Sequence, residues 1–206
     1  MIRIYSAIAA GFVVMLLAAL GIMVMTGDRN SDFAQCRSTQ IAGGAGSIGG
    51  PFELVDHTGR TMTDADLLTR PTLMYFGYTY CPDVCPLDSA RNAQATDILI
   101  ERGHDLQPVF VTVDPDRDTP EVMAEYVSFM HPEMVGLTGT RDQVAAAARA
   151  YRAYFAIHDR SDPNYLVDHS TFSYLMLPDH GFVEVFRRDL SPEQLADQIG
   201  CFIDAS

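Results

Sequence analysis

Positive charge is scarce in this sequence. It has 14 Lys and Arg residues against 27 Asp and Glu, a formal net charge of -13 and a pI near 4.6. Because phosphate groups would be repelled over most of such a surface, the composition argues against nucleic acid and anionic headgroups as partners. No internal repeat is visible, and 206 residues with 48% apolar side chains accommodate one globular domain plus an appendage, not two full domains.

Charged side chains are missing altogether from Ala7 to Thr26. A helix needs about 20 such residues to cross a bilayer, so residues 1–27 are predicted to form a membrane anchor. The alternative is a cleavable signal peptide, but its apolar region is normally only ~7–15 residues long and ends in a small-x-small site. Arg3 precedes the run, and the positive-inside bias then places the amino terminus in the cytoplasm and exports the rest of the chain.

Cysteine is also rare, with four residues in the chain. Cys81 and Cys85 lie four positions apart in one motif, whereas Cys36 closely follows the predicted anchor and Cys201 lies near the carboxyl end. An exported compartment permits disulfides. A bridge between Cys36 and Cys201 would close a long loop and stabilise the domain by ~2–4 kcal/mol; two unrelated thiols are the alternative.

Small and polar residues dominate 28–50, which are predicted to be a flexible linker, and the globular domain is predicted at 51–206. The helix and strand signals in this domain alternate. They predict a hairpin within 52–63, a strand at 72–76, a helix over 86–102, a strand at 108–113, helices over 120–130 and 141–154, a hairpin over 172–186 and a last helix from Ser191. Residues 158–168 are predicted to be an irregular loop. This order implies an α/β three-layer sandwich with a parallel βαβ unit.

The thiol pair falls between a predicted strand and a predicted helix, the usual functional position in such folds. Residues four apart share one face of a helix, so both sulfurs can point at one place. The helix amino end stabilises thiolate, which is both a nucleophile and a metal ligand. Two sulfurs prefer soft ions, Cu(I) above all, with Cu(II) and Zn(II) chemically possible. Three intervening residues, where thioredoxin-type enzymes have two, weaken a purely oxidoreductase interpretation, and a structural disulfide across so short a loop would stabilise little.

A two-sulfur site normally recruits a third ligand, and histidine is the usual candidate. The chain has six: His57, His104, His131, His158, His169 and His180. A turn position suits His57, and ordinary surface roles suit His104, His131 and His180. His169 differs because it closes the predicted loop just before a strand, where it could overhang the sheet end that bears the cysteines.

Three separated motifs resemble those of the Sco (SenC/PrrC) proteins involved in cytochrome c oxidase assembly. They are YFGYTYCPDVCP at 75–86, VDPDRDTP at 113–120 and YLVDHST at 165–171. The resemblance extends from about Pro51 to Ile203. It implies a thioredoxin-like fold in which Cys81, Cys85 and His169 bind one copper ion, as Cu(I) or Cu(II).

The resemblance also implies roles for residues beside this site. Asp168 is expected to orient or tune the ligand loop from outside the ligand set, as outer carboxylates commonly do. Asp114 and the segment from Arg117 to Thr119 are expected to fix the neighbouring loop, and Asp114 is expected to affect redox behaviour.

The implied function is delivery of copper, received from an upstream copper donor, to the dinuclear copper centre of cytochrome c oxidase subunit II. The implied place is the bacterial inner membrane, with a single span and a soluble periplasmic domain. The alternative is a periplasmic thiol-disulfide oxidoreductase that keeps the subunit II cysteines reduced, with Cys81 and Cys85 as its redox-active pair. A peroxidase related to peroxiredoxins would need Thr three residues before its reactive Cys, where this chain has Tyr78 or Pro82. The sequence thus predicts an assembly factor, not an enzyme in the turnover sense.

Overall fold

A computed structural model describes Gly11 and residues 15–18, 33–37 and 48–206. The predicted anchor at 1–27 and linker at 28–50 therefore lie mostly outside the described residues. The chain divides into two compact units, Met1–Gln35 and Cys36–Ser206, and the elements below belong to the second. In the part of the chain that the structure describes, no helix combines the length and the apolar composition that crossing a bilayer requires.

Nine strands and five helices lie between residues 51 and 206. The strands are β1 (Glu53–Asp56), β2 (Thr61–Thr63), β3 (Thr72–Gly77), β4 (Gln107–Thr112), β5 (Val135–Thr138), β6 (Phe155–Ile157), β7 (Val167–His169), β8 (Ser173–Leu177) and β9 (Gly181–Phe186). The helices are α1 (Asp64–Leu67), α2 (Val84–Glu101), α3 (Pro120–Met130), α4 (Arg141–Ala150) and α5 (Pro192–Asp204).

Seven of the strands form one sheet in the order β2-β1-β5-β4-β3-β8-β9. The strands β3, β4 and β5 run parallel, while β1 and the β8–β9 hairpin are antiparallel to their neighbours. Every residue of β3 is buried, because parallel strands of this kind are covered on both faces. The connection from β3 through α2 to β4 is the parallel βαβ unit that the sequence predicts, and the connection from β4 through α3 to β5 is a second one.

Alternate residues of β3 point to opposite faces of the sheet. The Tyr75 hydroxyl donates to Asp88 of α2 at 3.0 Å. The next residue, Phe76, packs on the other face against Tyr151 at the end of α4, with ring centroids 5.7 Å apart. Helices therefore cover both faces, and the predicted α/β architecture is confirmed.

The helices predicted over 120–130 and from Ser191 each begin with an N-cap. The Thr119 side chain accepts the backbone N–H of Val122 at 3.4 Å, and Pro120 takes the first position of α3. Ser191 caps α5 in a reciprocal pair with Gln194. Each cap satisfies N–H groups that have no partner inside their own helix.

The structure departs from the sequence predictions in several elements. Helix α1 and strand β5 are not among the predicted ones. Helix α4 ends at Ala150, four residues short of its predicted end, because Arg152 adopts a positive φ of 53° that cannot continue a helix. The predicted irregular loop at 158–168 is too long, because Val167 and Asp168 belong to β7. This strand pairs with β6 as a separate two-stranded sheet.

A disulfide joins Cys36 to Cys201 across 165 positions, with the two Cα atoms 5.7 Å apart. Of the two alternatives that the sequence leaves open, the structure has the paired one. The bond ties the start of the unit to α5. Cys81 and Cys85 are both free thiols.

Candidate metal centre

Cys81 and Cys85 lie where β3 ends and α2 begins. Cys81 belongs to the turn between them, and Cys85 is the second residue of the helix. The Asp83 side chain occupies the N-cap position without making a capping hydrogen bond. Instead, the Cys85 backbone N–H donates to Sγ of Cys81 at 3.4 Å. The Cys81 sulfur thus stands at the helix amino end, where N–H groups lack partners within the helix.

The two thiols differ in their surroundings. Cys81 is half-buried, whereas Cys85 is completely buried. Burial raises the pKa of the Cys85 thiol well above its ordinary value, because a thiolate is poorly solvated there. The Gly77 backbone leaves room for the Cys85 sulfur, since a Cβ at position 77 would stand only 3.0 Å from it.

His169 reaches the thiols from the small sheet. It ends β7, where it pairs with Phe155 of β6, and its Nε2 lies 3.2 Å from Sγ of Cys85. Its Nδ1 lies 3.0 Å from the backbone oxygen of Ser170. Because a carbonyl oxygen only accepts, Nδ1 carries a proton, and the neutral ring turns the lone pair of Nε2 toward the thiol. Burial lowers the pKa of His169, which favours this neutral form.

Two tyrosine rings enclose the His169 imidazole edge-on. The centroid of Tyr75 lies 6.1 Å from it with an interplanar angle of 89°, and that of Tyr78 lies 5.7 Å away at 90°. The Tyr78 hydroxyl also accepts the backbone N–H of Val167 at 3.4 Å. The ring and the strand that carries it are therefore both held against β3.

The sulfurs of Cys81 and Cys85 and one nitrogen of His169 all lie within 4.8 Å of one another. Bonds of about 2.0–2.3 Å from sulfur and imidazole nitrogen to one ion require ligand atoms about 3.5–4 Å apart. The cluster fits one ion after small side-chain adjustments. Two thiolates and an imidazole form a soft donor set, which suits Cu(I) and Zn(II) better than hard cations. Across the described ranges, no other trio of Cys, His, Asp or Glu meets this spacing.

Asp168 points away from the imidazole. Its carboxylate is 64% exposed and pairs with Nε2 of His158 at 2.8 Å. The Nδ1 proton of His169 goes to Ser170, not to a carboxylate. Any influence of Asp168 on His169 is therefore exerted through space, by a charge that favours the protonated ring.

Asp114 lies in the loop between β4 and α3 and is completely buried. Its carboxylate accepts hydrogen bonds from the Tyr165 hydroxyl at 2.6 Å and from Nε of Arg117 at 2.5 Å. Arg117 also lies over the ring of Tyr80, which directly precedes Cys81. Asp114 thus joins its own loop to the segment that leads into β7.

Asp118 holds the loop that carries Cys81. Its carboxylate accepts the Thr79 N–H at 3.0 Å, the Thr79 hydroxyl at 2.5 Å and the Thr112 hydroxyl at 2.5 Å. Burial raises the pKa of Asp118 against the opposing effect of these hydrogen bonds. The sequence predicts a loop-fixing role for the segment that contains Asp118 but does not identify its partners.

One neighbour of the cluster is not singled out by the sequence. The Tyr126 hydroxyl of α3 donates to Ser89 at 2.9 Å and approaches the backbone oxygen of Cys85 at 3.4 Å. Nothing in the local sequence separates Tyr126 from the other apolar residues of α3. Its role depends on how α3 packs against α2.

Comparison with known proteins places this geometry in context. The SCO1/SenC family model matches residues 41–204. Protein SenC of Rhodobacter capsulatus is 51% identical over 201 residues, covering 97% of this chain and 90% of SenC. Copper-bound ScoI of Arabidopsis thaliana has 40% identity and a TM-score of 0.73, covering 76% of this chain and 99% of that one. Copper-bound yeast Sco1 has 40% identity and a TM-score of 0.74, with 78% and 90% covered. The chain spans about half the length of the matching mitochondrial proteins of Arabidopsis and human.

Proposed function

This chain belongs to the SCO1/SenC family, and from that membership we propose that it is a copper-binding metallochaperone for the dinuclear copper centre of cytochrome c oxidase subunit II. The family resemblance drawn from the sequence motifs is confirmed, as is the thioredoxin-like α/β fold. The Sco family is described as one of cytochrome c oxidase assembly proteins. The observation that carries the proposal is the 3.2 Å approach of His169 Nε2 to the Cys85 sulfur.

Cys81, Cys85 and His169 are the proposed ligands, and copper is the cargo. Three ligands leave room for a donor or acceptor to add its own ligand before the first bond breaks. Cys81 is the more exposed thiol, so it is the natural point of contact with a partner. Cys85, which is completely buried, would then be the last ligand to release the ion.

The partners and the place follow from the same proposal. Copper arrives from an upstream donor and leaves to subunit II, both on the outer side of the bacterial inner membrane. A single amino-terminal span at 1–27 keeps the domain in the periplasm beside the oxidase. The charge of -13 supports a partner that is neither nucleic acid nor an anionic surface.

The free thiols of Cys81 and Cys85 also support a second function, reduction of the subunit II cysteines. Cys81 is accessible enough to attack a partner disulfide, and Cys85 lies next to it. In that reaction the partner disulfide gains two electrons and two protons and becomes two thiols. Cys81 and Cys85 lose the same number and form a disulfide. Copper and the partner disulfide would compete for the same two sulfurs.

A titration of the purified full chain with Cu(I) and with Cu(II) tests the ligand set. The parent should bind one ion, and His169→Ala should bind it at least ~100-fold more weakly, more than the loss of an outer-shell partner usually costs. His158→Ala is the matched control, because His158 is an exposed histidine of the same hairpin region. Unchanged affinity and stoichiometry in His169→Ala would show that the three-ligand site is wrong.

Mixing the metal-free chain with an oxidised subunit II peptide tests the second function. Mass spectrometry should find reduced peptide and a Cys81–Cys85 disulfide in equal amounts. If no exchange occurs while copper binding is intact, only the chaperone function stands.

A further inference from the structure

Three tyrosine rings surround the guanidinium of Arg117, which lies in the loop between β4 and α3. Its Cζ lies 3.7 Å from the ring centroid of Tyr165, 4.9 Å from that of Tyr80 and 5.7 Å from that of Tyr78. All three distances fall within the range of about 6 Å at which a cation is attracted to an aromatic face. The Arg117 side chain is only 14% exposed, so water screens this attraction weakly.

Hydrogen bonds do not account for the whole guanidinium. Its Nε donates to Asp114, but its Nη2 is buried and has no acceptor among the described residues. A buried N–H without an acceptor costs free energy. The faces of the tyrosine rings offer the negative potential that partly compensates it. The rings are therefore a substantial part of what holds Arg117.

The three tyrosines lie in the two segments that carry the metal-binding side chains. Tyr80 directly precedes Cys81. Tyr165 lies four positions before His169 and shares the Asp114 carboxylate with Arg117. Tyr78 connects the two segments, since its hydroxyl accepts the Val167 N–H and its ring lies against His169. Arg117 thus contacts both the loop that carries Cys81 and the segment from Tyr165 to His169.

The segment from Tyr165 to His169 depends on contacts of this kind for its position. Strands β6 and β7 form a two-stranded sheet of three residues each, which is separate from the main sheet. A two-stranded sheet is marginally stable alone, so contacts with the rest of the domain decide where β7 lies.

We infer that Arg117 is a positioning residue that clamps the Cys81 loop to the β7 segment and so sets the approach of His169 to the thiols. The inference rests on the proposed ligand set for its functional meaning, but the clamp itself is a property of the metal-free chain. The planar guanidinium matters as well as its charge, because only a flat group can lie against several rings and also donate to Asp114.

The test uses three variants of the full chain. Arg117→Met removes charge and planarity, Arg117→Lys keeps the charge alone, and Tyr80→Leu removes one ring at a position that is already 57% exposed. Tyr80→Leu keeps the inference testable if Arg117→Met fails to fold. Arg102→Met is the matched control, because Arg102 is a surface arginine paired with Asp197.

Two readouts separate positioning from general stability. The first is amide hydrogen exchange of Val167 in the metal-free chain. It should become about tenfold faster in Arg117→Met and Tyr80→Leu, with a smaller increase in Arg117→Lys. The second is the nitrogen hyperfine coupling of His169 in the Cu(II)-loaded chain. It should weaken in the same order while the thiolate-to-copper absorption persists.

Unchanged Val167 exchange and unchanged nitrogen coupling in both Arg117→Met and Tyr80→Leu would overturn the inference, even if their melting temperatures fall. An equal change in Arg102→Met would overturn it as well. If the parent shows no nitrogen coupling, the proposed ligand set has failed, and the Val167 exchange then decides the clamp by itself.

Discussion

The Sγ atom of Cys85 and the Nε2 atom of His169 lie 3.2 Å apart although 84 positions separate them in the chain. Cys85 takes its place from a strand-to-helix turn whose residues are consecutive. His169 takes its place from a small sheet held by tertiary contacts. Substitutions that disturb the turn at Cys85 and substitutions that loosen the small sheet at His169 should therefore alter metal binding in distinguishable ways.

Metal affinity is expected to rise with pH. Burial raises the pKa of the Cys85 thiol, so the thiol is protonated at neutral pH and an incoming ion must displace its proton. The affinity should increase about tenfold per pH unit for each proton displaced, up to the raised pKa. Competition with a Cu(I) chelator from about pH 6.5 to about pH 9 would measure the slope. Cys85→Ser should flatten it, and a flat profile in the parent would contradict the expectation.

Gly77→Ala is expected to lower both the unfolding free energy and the copper affinity. A Cβ at this position would stand 2.8 Å from Tyr75, 3.0 Å from the Cys85 sulfur and 3.1 Å from Phe110. Such overpacking costs about 1–3 kcal/mol of unfolding free energy, and the sulfur must also shift. Urea unfolding and copper titration measure the two effects.

Gly136→Ala provides the comparison for this change. Gly136 lies in β5, which β4 separates from β3. Its Cβ would stand 2.9 Å from Val127 of α3, and neither thiol is among its three nearest contacts. It should lower stability by a similar amount while leaving copper affinity intact. Equal losses of affinity in both variants would mean that Gly77 acts only through global stability.

Loss of the Cys36–Cys201 disulfide is expected to lower the unfolding free energy by about 2–5 kcal/mol, because the bond closes a long loop in the unfolded chain. Urea denaturation of Cys36→Ser, Cys201→Ser and the double variant would measure it. The three should be equally destabilised, because each lacks the same bond. A double variant clearly less stable than either single variant would point to side-chain packing instead.

Asp118→Asn is expected to change how stability depends on pH. Burial raises the pKa of Asp118 above its usual value of 3.8, so the folded chain binds this proton more readily than the unfolded chain. The resulting stability is fully present below the unfolded pKa and is lost as the pH rises through the folded pKa.

The unfolding free energy of the parent minus that of Asp118→Asn should therefore increase as the pH falls from neutral toward about pH 4. Urea unfolding of both proteins at several pH values gives this difference. A difference that stays constant or shrinks over the same interval would show that folding does not raise the pKa of Asp118.

Local signals predicted those elements whose residues determine their own conformation. The apolar run of β3 and the starts of α3 and α5, which Thr119 and Ser191 cap, are of this kind. Strand β5 is different, because Val135–Thr138 is short and contains a glycine. It is a strand through its pairing with β4 and β1, which no local pattern records.

In the candidate site, too, some features are predictable from the local sequence and others are not. The spacing of Cys81 and Cys85 directly indicates a shared sulfur site. The position of His169 before a strand distinguishes it from the other five histidines, but its role as a ligand is implied only by the family resemblance. The direction of Asp168 and the enclosure of Arg117 follow from how β7 pairs and where the loop after β4 packs. Such relations between distant segments leave no periodic signal in the chain.

The bond between Cys36 and Cys201 closes residues 36–201 into one covalent ring. A proteolytic cut between residues 37 and 50 would leave both fragments covalently joined, and only a reductant would release them. Tension applied to the segment before Cys36 likewise has a short covalent path into α5. Because α5 packs on α2, this tension is transmitted to the helix that contains Cys85 without first passing through β1.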